Sequence, residues 1–172
     1  MKKITFIFFA LIAGTGFAQF TQESAEGTAD VNAQIVSPIE ITNGTALNFG
    51  SINGTATGGN VNVSTTGART FDNPDMVITT ATAITAAAFE ITAALDYSYS
   101  ISIPATSLTG TGVAMPITFI NSLGSTDAAG LTQNVVGTGT TQNLNVGGVL
   151  TVGDGQTLGA YSGTVKVTVA YE

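Results

Sequence analysis

Hydrophobic and polar residues alternate most regularly at the C-terminal end of the chain. Val165, Val167, Val169 and Tyr171 would share one face of a strand, with polar or small residues on the other. Successive side chains of a strand point to opposite faces, and β-branched and aromatic residues suit a pleated surface. The pattern predicts a half-buried antiparallel strand. Because the sequence ends one residue later, we expect an earlier strand or another molecule to cover its edge.

A second alternating segment lies near the N-terminus, from Ser24 to Ile35. One face carries mainly small side chains, and acids and amides occupy much of the other. The pattern predicts a strand that ends at Ser37-Pro38.

Short alternating segments separated by Gly, Asn and Asp recur through the rest of the chain. The clearest is Tyr97–Ile103, which Pro104 ends. Further strands are expected at 39–41, 47–52, 61–63, 89–91, 116–120 and 142–152. About ten short strands with turns roughly every 8 to 12 residues are typical of a β-sandwich. We predict one all-β domain over residues 31–172, preceded by residues 19–30 as an extension or first strand.

Three interior segments have weaker patterns. Thr80–Ala88 is rich in alanine, which favours a short helix, but its threonines and missing caps oppose one. Leu123–Val136 is expected to be a loop. Gly147-Gly148 would permit a bulge that bends the strand at 142–152.

Residues 1–18 have the features of a secretory signal peptide: Lys2 and Lys3, an apolar run from Ile4 to Phe17, and small residues before a cut after Ala18. The apolar run is shorter than the about 20 residues of a spanning helix. We therefore expect export of 172 − 18 = 154 residues, without membrane insertion of the mature chain.

Charge limits the classes of partner. The mature chain would retain Arg69 and Lys166 against eleven acids, a net charge of 2 − 11 = −9. Two cations cannot neutralise a phosphate backbone, so neither nucleic acid nor an anionic membrane is an expected partner. Charged residues make up 9% of the chain, against about 25% in ordinary domains. Such a surface suits an extracellular β-protein, or one that packs against copies of itself.

The sequence contains neither histidine nor cysteine, which excludes Ser-His-Asp and Cys-His catalysis and His- or Cys-based metal sites. Asp72 and Asp75 form a weak calcium candidate, although a turn containing Pro74 explains the pair equally well. No other pair of carboxylates is expected to converge. We predict a protein that is not an enzyme and has no cofactor.

Several segments, in this order, resemble the bacterial domain-of-unknown-function family 4402. Its opening is similar to Ser37-Pro38-Ile39 with Leu47–Ile52, its central strand to Tyr99–Pro104, and its ending to Val146–Val152 with Tyr161–Tyr171. The resemblance covers the chain from about Val31 to Glu172. Ala93–Asp96 departs from the pattern, because a turn containing glycine is expected there.

The resemblance implies a secreted, pilin-like β-sandwich of a Gram-negative bacterium. It extends to spore-coat-type and chaperone–usher pilins, whose immunoglobulin-like sandwich lacks one strand. It therefore implies a structural or adhesive subunit of a fimbria on the cell surface, exported through the periplasm. The implied partners are copies of itself, other pilin-like subunits and a periplasmic chaperone.

In such a fibre, the strand of one subunit completes the sheet of the next. Here the resemblance implies a donor strand with Ala25, Gly27, Ala29 and Val31, and an acceptor edge with Val165, Val167, Val169 and Tyr171. An alternative remains open. Residues 24–35 would then be the first strand of a self-contained sandwich, and the protein a surface or matrix binding module, for instance for glycans.

Overall fold

The apolar faces of the strands pack between two antiparallel sheets in the computed structural model, which describes residues 24–79 and 82–172. The strands are β1 (Glu40–Asn43), β2 (Gly59–Val63), β3 (Arg69–Phe71), β4 (Ala87–Thr92), β5 (Ser98–Ser102), β6 (Thr106–Gly110), β7 (Met115–Asn121), β8 (Leu131–Val136), β9 (Thr141–Val152), β10 (Tyr161–Ser162) and β11 (Thr168–Tyr171). A single 3-10 turn covers Pro74–Met76, and the described residues contain no α-helix. The protein has the predicted all-β, antiparallel sandwich fold.

The larger sheet has eight strands and is built around β9. Its main path is β1-β4-β9-β7-β6-β10, and β2 pairs with both β3 and β9. The first half of β9 pairs with β4, and its second half pairs with β2 on the same side. Gly147 lies where β2 ends, and a Cβ atom there would collide with the carbonyl oxygen of Val63. Glycine is therefore needed at position 147, where the partner on this side of β9 changes from β4 to β2.

The smaller sheet has three strands in the order β11-β5-β8. The inward residues of β5 and the position after it, Tyr99, Ile101 and Ile103, are fully buried, as the alternation predicted. A bulge shifts the register between β5 and β8. It lies beside Asn134, which has φ 58°, and the freed amide of Asn134 donates to Glu172 Oε1 at 3.0 Å.

The predicted strand at Ser24–Ile35 is not formed within this chain. Residues 24–35 carry no strand and are exposed throughout. Alternation alone does not make a strand, because main-chain hydrogen bonds need a neighbour. Residues 1–23, with the predicted signal peptide and the start of the extension, lie outside the described residues.

Other local predictions need correction. Leu47–Ile52 has only one isolated bridge, from Asn48 to Thr85, and Leu123–Val136 contains β8. The short helix considered at Thr80–Ala88 is absent from the described residues 82–88, where β4 begins instead. The bulge expected at Gly147-Gly148 is wrong, since β9 keeps a continuous register with each partner.

Candidate functional site

The predicted C-terminal edge lies at the border of the smaller sheet. β11 pairs with β5 on one side, and no other described strand pairs with it. Val165, Val167, Val169 and Tyr171 are half-buried, whereas the residues between them are exposed. The predicted alternation is therefore confirmed over the whole segment, although only Thr168–Tyr171 is assigned as strand.

Main-chain groups of the same residues point away from β5. The amide of Glu172 donates to the carbonyl oxygen of Ser98 at 3.1 Å, so residues 172, 170 and 168 face β5. Hydrogen-bonding directions alternate along a strand, so the amides of Val167, Val169 and Tyr171 face the open side. An incoming strand would find both donors and acceptors there.

Residues 163–167 connect β10 of the larger sheet with β11 and are assigned to no strand. Continuing the register of β11 would place Lys166 opposite Pro104, just after β5 has ended. Proline has no amide hydrogen, so the ladder cannot continue there. Within the described part of the chain, no main-chain hydrogen bond between residues is found for 163–167.

The edge strand of the larger sheet approaches β11 at one end. The hydroxyl of Tyr171 donates to the carbonyl oxygen of Ser37 at 3.0 Å, three residues before β1, and accepts from the amide of Ala94 at 2.7 Å. Tyr97 packs edge-on against the Tyr171 ring, with centroids 6.0 Å apart. We call the space between residues 37–52 and 163–171 the groove; Tyr171 closes it at this end.

At the other end the groove widens into a cavity of about 650 Å³. Its floor is the inner face of the larger sheet, including Met115, Ile117, Leu150 and Val152. One wall is Leu47–Ile52, and the other runs from Gln156 to Val165. None of the lining residues, all of which lie in the described ranges, carries a charge. The cavity suits an uncharged occupant that presents both apolar and hydrogen-bonding groups.

Arg69 holds the first wall in place. Its Nη1 donates to the carbonyl oxygens of Phe49 and Ser51 at 2.6 and 2.7 Å, and Nη2 donates to that of Ile78 at 3.2 Å. The guanidinium also lies 4.7 Å from the centre of the Phe71 ring. Sequence reasoning assigned Arg69 no role, although it is the only arginine in the chain.

The second wall is held by Tyr161. Its hydroxyl donates to the carbonyl oxygen of Thr157 at 2.8 Å and accepts from Gln156 Nε2 at 2.9 Å. The same Gln156 amide donates to the carbonyl oxygen of Val113. These bonds fix the loop that precedes the unpaired residues 163–167.

The other strand edges are less suited to accept a partner. β3 has three residues and β10 has two, the β8 edge is interrupted by its bulge, and β1, with four residues, borders the same groove from the larger sheet. Short and bulged edges are known to resist pairing with other chains. Of the described edges, the one formed by residues 163–171 combines length, regular alternation and an adjoining cavity.

The proposed donor residues lie in an exposed segment. Ala25, Gly27, Ala29 and Val31 are all exposed, and Val31 has 94% of its surface accessible. Ile35, which was not among the candidate donor residues, is 98% accessible. Both side chains are therefore accessible to another molecule.

Asp72 and Asp75, the weak calcium candidate, flank the start of the 3-10 turn that follows β3. The Asp72 carboxylate accepts from the amide and the side chain of Asn60 at 2.6 and 2.8 Å. These bonds, led by the one from the Asn60 amide, hold the pKa of Asp72 below its usual value. No group of three or more acidic side chains in the described ranges could hold a metal ion. The pair belongs to the loop after β3, where Asn73 caps the 3-10 turn.

The tyrosine side chains pack within the sandwich. Tyr99 is fully buried, burial raises the pKa of its hydroxyl, and that hydroxyl donates to Gln142 Oε1 at 3.3 Å. Tyr97, Tyr161 and Tyr171 are half-buried. Among the described residues, no tyrosine is therefore fully exposed.

No helix in the described ranges is long and apolar enough to span a bilayer. The family model described as a domain of unknown function (DUF4402) matches residues 39–171. No curated protein and no solved structure matches the chain significantly.

Proposed function

The chain belongs to the DUF4402 family, and for this member we propose a structural role, as a secreted, pilin-like subunit that assembles at the cell surface by β-strand complementation. The observation that carries the proposal is the unpaired edge at residues 163–171 beside a cavity of about 650 Å³. The edge supplies main-chain groups to an added strand, and the cavity receives its side chains.

The energetics favour a long-lived complex. Each added main-chain hydrogen bond contributes about 1 kcal/mol net, and each large apolar side chain buried contributes about 1.5–3 kcal/mol. Several such contributions along one strand sum to more binding free energy than a surface contact between exposed loops provides. The donor strand comes from the exposed N-terminal segment of another subunit, and a periplasmic chaperone would protect the edge before assembly.

The alternative function, a self-contained module that binds glycans or matrix, gains no support from the described residues. A sugar site commonly uses an exposed aromatic ring, and the four tyrosines are buried or half-buried here.

Gel electrophoresis of protein sheared from cells tests the proposal. In an unheated SDS gel, the wild-type protein should form a ladder of multimers that collapses to the monomer on boiling. A single band near the monomer mass in both lanes would contradict strand complementation.

A matched pair of variants tests whether the ladder depends on this edge. Val167→Pro removes an amide that faces the open side and leaves the β5 ladder intact. Val167→Ala shortens the same side chain but keeps the amide. We expect the ladder to disappear in Val167→Pro and to persist in Val167→Ala, with both variants folded by circular dichroism. A ladder that persists in folded Val167→Pro would place the contact elsewhere.

A further inference from the structure

We propose that the donor strand is anchored by Val31, Ala33 and Ile35 of a second copy of this chain, rather than by the small residues that precede them. This inference rests on the proposed function and specifies which side chains enter the groove. The three residues share one face of an extended segment, because side chains alternate with period two.

Size favours these residues. Val31 and Ile35 are 94% and 98% accessible, and both are large and β-branched. Ala25, Gly27 and Ala29 would leave most of a cavity of about 650 Å³ unfilled. Unfilled apolar space weakens a packed interface, because the lining atoms lose their partners.

Charge favours the same residues. From Val31 to Ile39 the chain carries no charge, whereas Glu26 and Asp30 lie just before this stretch. The cavity lining is also uncharged. An uncharged strand can enter the groove without burying a carboxylate where no lining residue carries a compensating charge.

The opposite face of the donor also matches its surroundings. With Val31, Ala33 and Ile35 facing inward, Asn32 and Gln34 face outward. They would continue the outer face of the smaller sheet, where β5 carries Ser98, Ser100 and Ser102. A register shifted by one residue would instead bury both amides and expose both large side chains.

Disulfide trapping tests this register, because the natural chain contains no cysteine. One copy carries Ala33→Cys, and a differently tagged copy in the same cells carries Val167→Cys. Both positions are central, so they can meet whichever way the donor runs along the edge. After mild oxidation we expect a disulfide-linked dimer containing both tags.

Two control donors define the outcome. Gln34→Cys lies on the outward face, and Gly27→Cys lies in the small-residue stretch. Each is paired with Val167→Cys, and we expect at least about tenfold less mixed dimer than with Ala33→Cys. Equal or greater trapping by either control would overturn the proposed anchors, as would an intact ladder with no trapping by any pair.

Substitutions at the anchors give a second measurement. Val31→Asp or Ile35→Asp should reduce the unheated ladder by at least about tenfold, whereas Ala25→Asp or Ala29→Asp should leave most of it. The reverse pattern would show that the small residues are the anchors. Absence of a ladder in the wild-type protein would instead contradict the proposed function itself, so the two failures are distinguishable.

Discussion

Tyr171 and Ser37 join the edges of the two sheets. The Tyr171 hydroxyl donates to the Ser37 carbonyl oxygen at 3.0 Å, across 134 positions of sequence, and also accepts from the amide of Ala94. The end of β11 is thereby tied to the segment before β1. The groove between these two segments is closed at this end and opens toward Val165.

Removing this hydroxyl should therefore destabilise the sandwich. In Tyr171→Phe, the Ser37 carbonyl and the Ala94 amide both lose a partner, and a typical hydrogen bond contributes about 0.5–1.5 kcal/mol net to the free energy of unfolding. Urea denaturation of the purified protein measures the change. Tyr97→Phe is the matched control, because no hydrogen bond of the Tyr97 hydroxyl is found in the described ranges. A loss in the control as large as in Tyr171→Phe would mean that ring packing, not the hydroxyl, matters.

Gly147 should tolerate no side chain. In Gly147→Ala, the new Cβ atom meets the carbonyl oxygen of Val63, so β2 must shift along β9. Overpacking of this kind costs about 1–3 kcal/mol of the free energy of unfolding. Thermal denaturation followed by circular dichroism should show a lower midpoint.

Gly27→Ala provides the control for this prediction. An added Cβ at Gly27 has no atom within 4 Å, and the residue lies in the exposed N-terminal segment. Its melting temperature should match that of the wild-type protein. If Gly147→Ala also melted like the wild-type protein, the close approach of β2 to β9 would not be a constraint on the fold.

The sequence was sufficient where a strand is long and packs against a regular neighbour. Alternation identified the buried faces of β5 and β9 and the half-buried face at residues 165–171. It could not show that pairing with β5 stops near Pro104, because that depends on a strand more than 60 positions away. The sequence therefore predicted an unpaired edge at the C-terminal strand. It did not predict that residues 163–167, which precede β11, would also lack a main-chain partner.

The other incorrect strand predictions also have physical causes. β8 escaped detection because its bulge puts Asn134 at positive φ and breaks the alternation that a strand normally shows. Leu47–Ile52 has a strand-like composition, yet the carbonyl groups of Phe49 and Ser51 accept hydrogen bonds from Arg69. Neither partner can be inferred from residues near in sequence. The cavity wall was missed for the same reason.

The lowered pKa of Asp72 predicts that the protein loses stability in acid. Its pKa is lowered in the folded state by hydrogen bonds from Asn60, so the folded protein favours the ionised form. The stabilisation is present above the unfolded-state pKa, near 3.8, and is lost as the pH falls through the lower folded-state value. Urea midpoints measured from pH 6 down to pH 2.5 should fall below about pH 4.

The variant Asp72→Asn isolates this effect. It cannot ionise, so its urea midpoint should change less between pH 5 and pH 2.5 than that of the wild-type protein. Asp75→Asn, three residues away in the same loop, serves as the control and should follow the wild-type curve. An Asp72→Asn curve parallel to the wild type would show that other acids cause the acid sensitivity.

Arg69 supports a wall of the groove, so its replacement should affect both stability and assembly. A lysine at this position cannot reproduce the planar fork that contacts the carbonyl oxygens of Phe49, Ser51 and Ile78. Hydrogen bonds from a charged donor contribute about 1.5–3 kcal/mol, so Arg69→Lys should lower the free energy of unfolding by an amount in that range. We also expect a weaker ladder in unheated gels, because the wall at Leu47–Ile52 would no longer be fixed.

Lys166→Met is the control for the loss of a cationic contact. Lys166 is exposed, so its replacement should change the free energy of unfolding by no more than about 0.5 kcal/mol. A wild-type ladder and wild-type stability in Arg69→Lys would show that the wall holds its position without the guanidinium. If Arg69→Lys is as stable as the wild-type protein but forms a weaker ladder, the wall contributes more to binding the incoming strand than to stabilising the fold.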